Sequence, residues 1–185
     1  MNNKLIIGGI AFFLIVGLYF INLKNQKSYT SSSTKLLHIE KDNIKKILIQ
    51  SGTDALELMR QDSTWKITGV DTLVIKEQSI TSLFDNLFSL ETQMLMTERK
   101  EKWSTYSVDD SLGTHIALVD WNDTTIGYYV FGRSTSDYSR CYVRTNNSPN
   151  VYLTSNNVMY NLQTRPEYWG ENPTTSNALP QEISE

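Results

Sequence analysis

The chain has 185 residues, 17 basic and 20 acidic, and a formal net charge of −3. An acidic excess does not supply the clustered Lys and Arg that nucleic-acid phosphates require, so no nucleic-acid partner is expected. The single cysteine, Cys141, excludes an intrachain disulfide framework and a cysteine-based zinc site.

Leu5 to Ile21 is the first feature in chain order. It is a run of 17 residues without a charge. As a helix it is about 26 Å long at 1.5 Å per residue, slightly short of a hydrocarbon core about 30 Å thick. Lys4 and Lys24 flank it and can snorkel to the headgroups. Asn22 to Lys27 contain no small-x-small cleavage pattern, so the run reads as an uncleaved anchor rather than a signal peptide. The residues four after Gly8, Gly9, Ala11 and Gly17 are Phe12, Phe13, Ile15 and Ile21, so no glycine dimer seam is encoded. Residues 1–24 are therefore expected to form a single transmembrane anchor, with the lipid bilayer as partner through Leu5 to Ile21. Lys24, Lys27 and Lys35 beyond the run outnumber Lys4 before it, and that count alone slightly favours a cytoplasmic domain.

Residues 25–34 are Ser/Thr-rich and read as a flexible spacer. A folded domain is expected over residues 35–170. Ile44 to Gln50 and Ala55 to Arg60 form a hairpin about a turn at Ser51 to Asp54, and Thr64 to Thr68 adds a third strand with Trp65 and Ile67 on one face. From Glu77 to Glu91 the period changes: Ile80, Leu83, Phe84, Leu87 and Phe88 fall on one stripe of an amphipathic helix. Thr92 to Met96 reads as a short strand, and Glu98 to Lys102 as a solvated charged surface. His115 to Trp121 pairs with Thr125 to Phe131. Arg140 to Arg144 and Asn150 to Thr154 follow, then a short helical piece within Asn156 to Leu162. Residues 171–185 carry no period and are expected to be a disordered tail.

The two halves read alike. Ile47 to Arg60 matches Ile116 to Phe131, Trp65 matches Tyr142, and Leu87 matches Leu162, at offsets of roughly 70 to 77 residues. The expected fold class is accordingly α+β: a transmembrane helix, then an antiparallel-sheet domain with one main amphipathic helix, arranged as two similar β-rich lobes.

Catalytic patterns are weak. No HExxH, GxSxG, P-loop or GxGxxG occurs. His115 begins a strand and reads as structural, Asp109-Asp110 and Asp120 with Asp123 read as turn carboxylates, and Cys141 reads as a buried, inert thiol. Neither an enzyme, a cofactor nor a metal site is expected. Ten Tyr and four Trp remain. Rigid amphipathic rings suit interfaces, and the candidate contact residues are Trp121, Tyr128, Tyr138, Tyr142, Tyr152, Tyr168 and Trp169. Core and cross-strand packing is the competing reading for the same rings.

The order of elements resembles the family called domain of unknown function 4340. The matching residues are Trp65-Lys66-Ile67, Ile80 to Leu90, Tyr106 to Ser111, Tyr129-Val130-Phe131-Gly132, Cys141 to Arg144 and Val151-Tyr152-Leu153. The chain departs at Ser107, where that family usually has Gly, and at Ser111, where it usually has Pro. The resemblance implies an extracytoplasmic, membrane-anchored domain associated with ABC-type transporter or gliding-type export components, and it carries no catalytic residues. On that basis the expected role is an accessory or scaffold domain that binds another envelope protein. The alternative is a glycan- or peptide-binding module using exposed aromatics.

Overall fold

The computed structural model describes residues 33–146 and 148–173. The run Leu5 to Ile21, most of the expected spacer and the tail from residue 174 lie outside the described residues. Among the described residues no helix is long and apolar enough to cross a membrane.

Two hairpin systems and two further strands, one of two residues and one of seven, build one large sheet. The strands are β1 (Thr34–Lys35), β2 (Lys46–Ser51), β3 (Asp54–Gln61), β4 (Thr64–Ile67), β5 (Val74–Ile75) and β6 (Glu91–Thr97). They continue as β7 (Thr114–Val119), β8 (Thr125–Arg133), β9 (Cys141–Thr145), β10 (Val151–Thr154) and β11 (Gly170–Glu171). Nine of them pair antiparallel in the order β1-β6-β10-β9-β8-β7-β2-β3-β4, while β11 pairs with β5 separately. The turns are built by residues that tolerate positive φ: Gly52 (φ 59) between β2 and β3, Asp62 (φ 55) between β3 and β4, and Asp123 (φ 58) between β7 and β8.

This corrects the expected fold class. The halves do not form two lobes. Their first hairpins fuse into a single sheet, because β2 and β7 pair directly with Ile47 opposite Leu118, Leu48 opposite Ala117 and Ile49 opposite Ile116. Each hairpin alone would leave a row of unpaired backbone groups on its first strand, and pairing β2 with β7 satisfies both rows. The helical share is also smaller than expected. Among the described residues the one long helix is α1 (Glu77–Phe88). Its counterpart in the second half is a single 3-10 turn at Met159–Asn161, followed by the four-residue α2 (Pro166–Trp169).

Alternation along the strands sorts side chains onto two faces. On the first face Ile47, Ile49, Leu58, Trp65, Ile116, Phe131 and Val143 meet Ile80, Leu83, Phe84 and Leu87 of α1 in the main core. The helix stops three residues earlier than its pattern predicts. Ser89 donates its backbone N–H and its Oγ to the Asp85 carbonyl, and Glu91 enters β6 opposite Lys35. Trp169 is completely buried in this core, with its Nε1 donating to the Gln163 carbonyl at 2.7 Å.

The second face is covered over only part of its width. The β6–β7 connection, residues 98–113, folds across β8, β9 and β10 and closes a small cluster of Val108, Val130 and Val151. Tyr106 stands edge-on to Tyr142 at 4.9 Å, and its hydroxyl donates to the Met96 carbonyl. The turn beside it fits tightly. A Cβ on Gly132 of β8 would lie 2.0 Å from the Tyr106 carbonyl and 2.6 Å from that of Ser107. Ser107 itself holds φ 52, the left-handed region.

Candidate functional site

The open remainder of the second face lies over β3, β2 and β7. Register defines its floor. One row across the sheet runs Ala55, Gln50, His115, Val130 and Arg144, since Gln50 faces both Ala55 and His115, and Val130 faces both His115 and Arg144. The next row runs Glu57, Leu48, Ala117 and Tyr128. Small alanines beside larger neighbours leave depressions. The first is an apolar bay of about 440 Å³ floored by Ala55 and Ala117 and walled by Leu48 and Glu57. The second is a polar bay of about 580 Å³ lined by Lys100, Trp103, Asp110 and Arg144. Gln50, His115 and Tyr128 line both, so the two bays form one trough. Leu48 stays 39% exposed in its wall, which is unusual for a central-strand leucine.

Arg144 anchors the polar bay. Only 2% of it is exposed, yet every donor group has a partner. Its Nε donates to the Val108 carbonyl at 2.6 Å, one terminal nitrogen to the Asn146 carbonyl at 2.7 Å, and the other to Asp110 Oδ1 at 2.8 Å. The guanidinium also stacks on the Trp103 ring, 3.9 Å from its centroid. Trp103 is held in turn by donating Nε1 to the Pro149 carbonyl. Lys100 lies at the rim, 5.6 Å from the same ring, and has no salt-bridge partner among the described residues.

His115 and Tyr128 form the joint between the bays. The Tyr128 hydroxyl lies 2.6 Å from His115 Nδ1. Burial pushes the His115 pKa down and the nearby Arg144 charge adds to that, against smaller opposing pulls from Asp110 and Asp109. The ring is therefore neutral at pH 7. Its Nε2 is buried and has no hydrogen-bond partner among the described residues. Buried polar atoms are nearly always paired, and leaving one unpaired costs about 1–3 kcal/mol.

The structure disperses the aromatic residues singled out in the sequence. Tyr128 lines the trough, and Tyr142 packs beneath the covering loop beside it. Trp121 is exposed at the β7–β8 turn, donating Nε1 to the Asp42 carbonyl. Tyr138 is 76% exposed in the β8–β9 loop. Those two sit at opposite ends of β8, whose nine residues span about 30 Å at 3.3 Å each. Tyr152 packs on the main core and accepts from Asn150. Tyr168 stands edge-on to Trp169, and the burial of Trp169 removes it from any surface contact. Conversely His115, Arg144, Lys100, Trp103 and the two floor alanines were not expected as site residues. The readable signal was the His-x-Ala alternation of β7, which needs the β7–β8 register to be placed beside Tyr128. Cys141 is buried against Thr154, and burial pushes its thiol pKa up. Among the described residues no group of three His, Cys, Asp or Glu side chains is placed to hold a metal ion.

A nine-stranded antiparallel sheet with one helix-covered face and one half-open face defines the class of domain. The chain matches the family described as domain of unknown function (DUF4340) over residues 65–178, and it belongs to that family. No curated protein and no solved structure matches it.

Proposed function

We propose that this is a membrane-attached extracytoplasmic domain that binds another envelope protein through the open half of its sheet. The bilayer contact is the apolar run Leu5 to Ile21. The role is accessory rather than enzymatic, and an ABC-type transporter component is the partner that the family resemblance implies. The observation that carries the reading is the trough itself. It is concave, has an apolar floor and a few converging polar groups, and no other part of the described chain covers it. The dispersal of Trp121 and Tyr138 argues against a flat aromatic glycan platform.

The test is site-specific photocrosslinking in native membranes. A photoreactive phenylalanine replaces Leu48 in the trough wall or, as a control, Tyr160, which is 69% exposed beside α1. The expected outcome is one discrete envelope protein trapped from position 48 and absent from position 160. Equal trapping at both positions, or none, overturns the proposal. A C-terminal reporter active only outside the cytoplasm is expected to be active; a silent reporter overturns the location.

A further inference from the structure

One edge of the nine-stranded sheet is largely open. β6 runs from Glu91 to Thr97, and β1 covers its outer side only at Glu91 and Thr92. Among the described residues no strand lies beside the rest of it, Gln93 to Thr97. Exposed edges are normally blunted by lysine, proline or an inward-pointing charge. The stretch Gln93-Met94-Leu95-Met96-Thr97 has none of these, and Met94 is 43% exposed. Its one protective device is the pair of register shifts against β10.

The edge is self-complementary about Leu95. A two-fold axis requires that where residue i meets residue j of the copy, j also meets i. Antiparallel pairing of β6 with a second β6 about Leu95 sets Leu95 against Leu95, Met94 against Met96 and Gln93 against Thr97. Glu91 and Arg99 flank this window at equal distances from Leu95, so the same axis brings each carboxylate toward the guanidinium of the copy. Neither side chain has a salt-bridge partner in its own chain among the described residues. Moving the axis by one residue would set Leu95 against Gln93 or Thr97 and carry Glu91 and Arg99 out of line. Length fits as well. β1 blocks the position beside Thr92, and the chain bends away after Thr97 at Glu98, so the window of one copy fills the open positions of the other.

We propose that the open edge of β6 is a self-association surface, where two copies of this chain pair β6 with β6 antiparallel about Leu95 and continue one sheet across both. The trough lies toward the opposite edge, over β7, β2 and β3, so each copy keeps it free. So short a paired strand falls below the standard interface of about 1,600 Å², and the dimer is therefore weak and concentration-dependent.

The test uses the full chain in detergent, with single cysteines placed in turn at residues 93 to 97 and mild oxidation. The wild-type chain, whose Cys141 is buried, is the blank. Leu95→Cys sets two thiols directly opposite, with Cβ atoms about 4.5–5.5 Å apart, close to disulfide geometry. Gln93→Cys or Thr97→Cys leaves like thiols about 13 Å apart along the pair. The expected outcome is a disulfide dimer formed about tenfold faster at position 95 than at 93 or 97. Met94→Lys, at an exposed position, is expected to abolish self-association in sedimentation without lowering the urea midpoint. Arg99→Glu is expected to weaken it about tenfold, and Glu91→Arg combined with Arg99→Glu to restore it. Equal trapping at all positions, a maximum away from 95, or no trapping overturns the inference. A dimer that survives Met94→Lys, or a double variant no tighter than Arg99→Glu, overturns it too. Trapping of a different protein by Leu95→Cys in native membranes, with no self-trapping in detergent, overturns it and gives the edge to a foreign strand.

Discussion

The two faces of the nine-stranded sheet are made from the same strands but hold together in different ways. The first face is closed by α1, whose Leu83 and Leu87 are wholly buried against strand residues contributed by both halves of the chain. The second face is closed only over β8 to β10, by a connection without long secondary structure that is fastened through Arg144, Trp103 and Tyr106. The first is an apolar core that gains from every methylene buried. The second is a polar clasp holding a small apolar cluster, and it stops short of β2 and β3. Stability is thus concentrated on one side, and the side free to bind is the one that contributes less of it.

Truncating one leucine on each face separates the two most sharply. Leu83→Ala on α1 is expected to cost about 3 kcal/mol, because it opens a cavity in a close-packed core. Leu48→Ala in the trough wall, where the side chain is already part-exposed, is expected to cost under about 1 kcal/mol. Urea unfolding of the two variants measures the difference. Equal costs would mean that the open face is a true core surface, and the trough would lose its standing as a binding site.

Removing the clasp comes next. Arg144→Ala leaves the Val108 and Asn146 carbonyls without their donors and strips the stem that packs on Trp103, at an expected cost of about 2–3 kcal/mol. The damage should be local. Amide exchange is expected to accelerate at Val108 and Gly113, whose N–H groups bond within the covering loop, and not in α1. Uniform acceleration across the sheet would show that the loop is integral to the fold rather than a lid on part of it.

Much of this architecture is legible in the sequence, and the misses share one physical cause. The period-2 runs of β2, β3, β4, β7 and β8 and the period-3.6 stripe of α1 report local geometry, which the chain states directly. Sheet order is not local. Whether β2 meets β7 or each hairpin closes its own lobe depends on backbone pairing between residues about 70 apart, and both outcomes bury the same leucines and isoleucines. The site was lost for the same reason. His115, Ala117 and Tyr128 become neighbours only through the β7–β8 register, and Lys100 and Trp103 reach Arg144 only through a loop that reads as solvated charge. Tyr and Trp counts pointed to surface contacts, but Trp169 lies wholly inside the core.

A smaller effect, of opposite sign, is expected at the loop turn. Ser107 adopts φ 52, a conformation that disfavours a side chain, while its carbonyl packs where Gly132 leaves room. Ser107→Gly removes that strain, and the greater freedom of the unfolded glycine offsets part of the gain. The net expectation is a stabilisation of about 0.5–1 kcal/mol, read as a raised urea midpoint. A loss of stability would show that the serine side chain contributes more to the clasp than its backbone strain costs.

The subtlest contrast is in pH dependence, because only the second face carries a titrating group whose charge change falls near neutrality and is resisted by its surroundings. Burial and Arg144 lower the His115 pKa in the folded chain, so the unfolded chain takes up the proton first. As pH falls below the unfolded value of about 6.5, the unfolded state is therefore favoured. His115 contributes its stability in full above about pH 6.5 and loses it progressively down to its folded pKa, below which both states are charged and the slope disappears. Asp109 has the same sign but a lower window: hydrogen bonds from Ser111 lower its pKa, so its contribution is lost only below the ordinary carboxylate range. The expected record is a decline in unfolding free energy beginning near pH 6.5, separated from a steeper acid limb. His115→Gln is expected to erase the first step and leave the second, with amide exchange in α1 showing no pH step of its own. An unchanged first step would place the titration elsewhere and leave the two faces electrostatically alike.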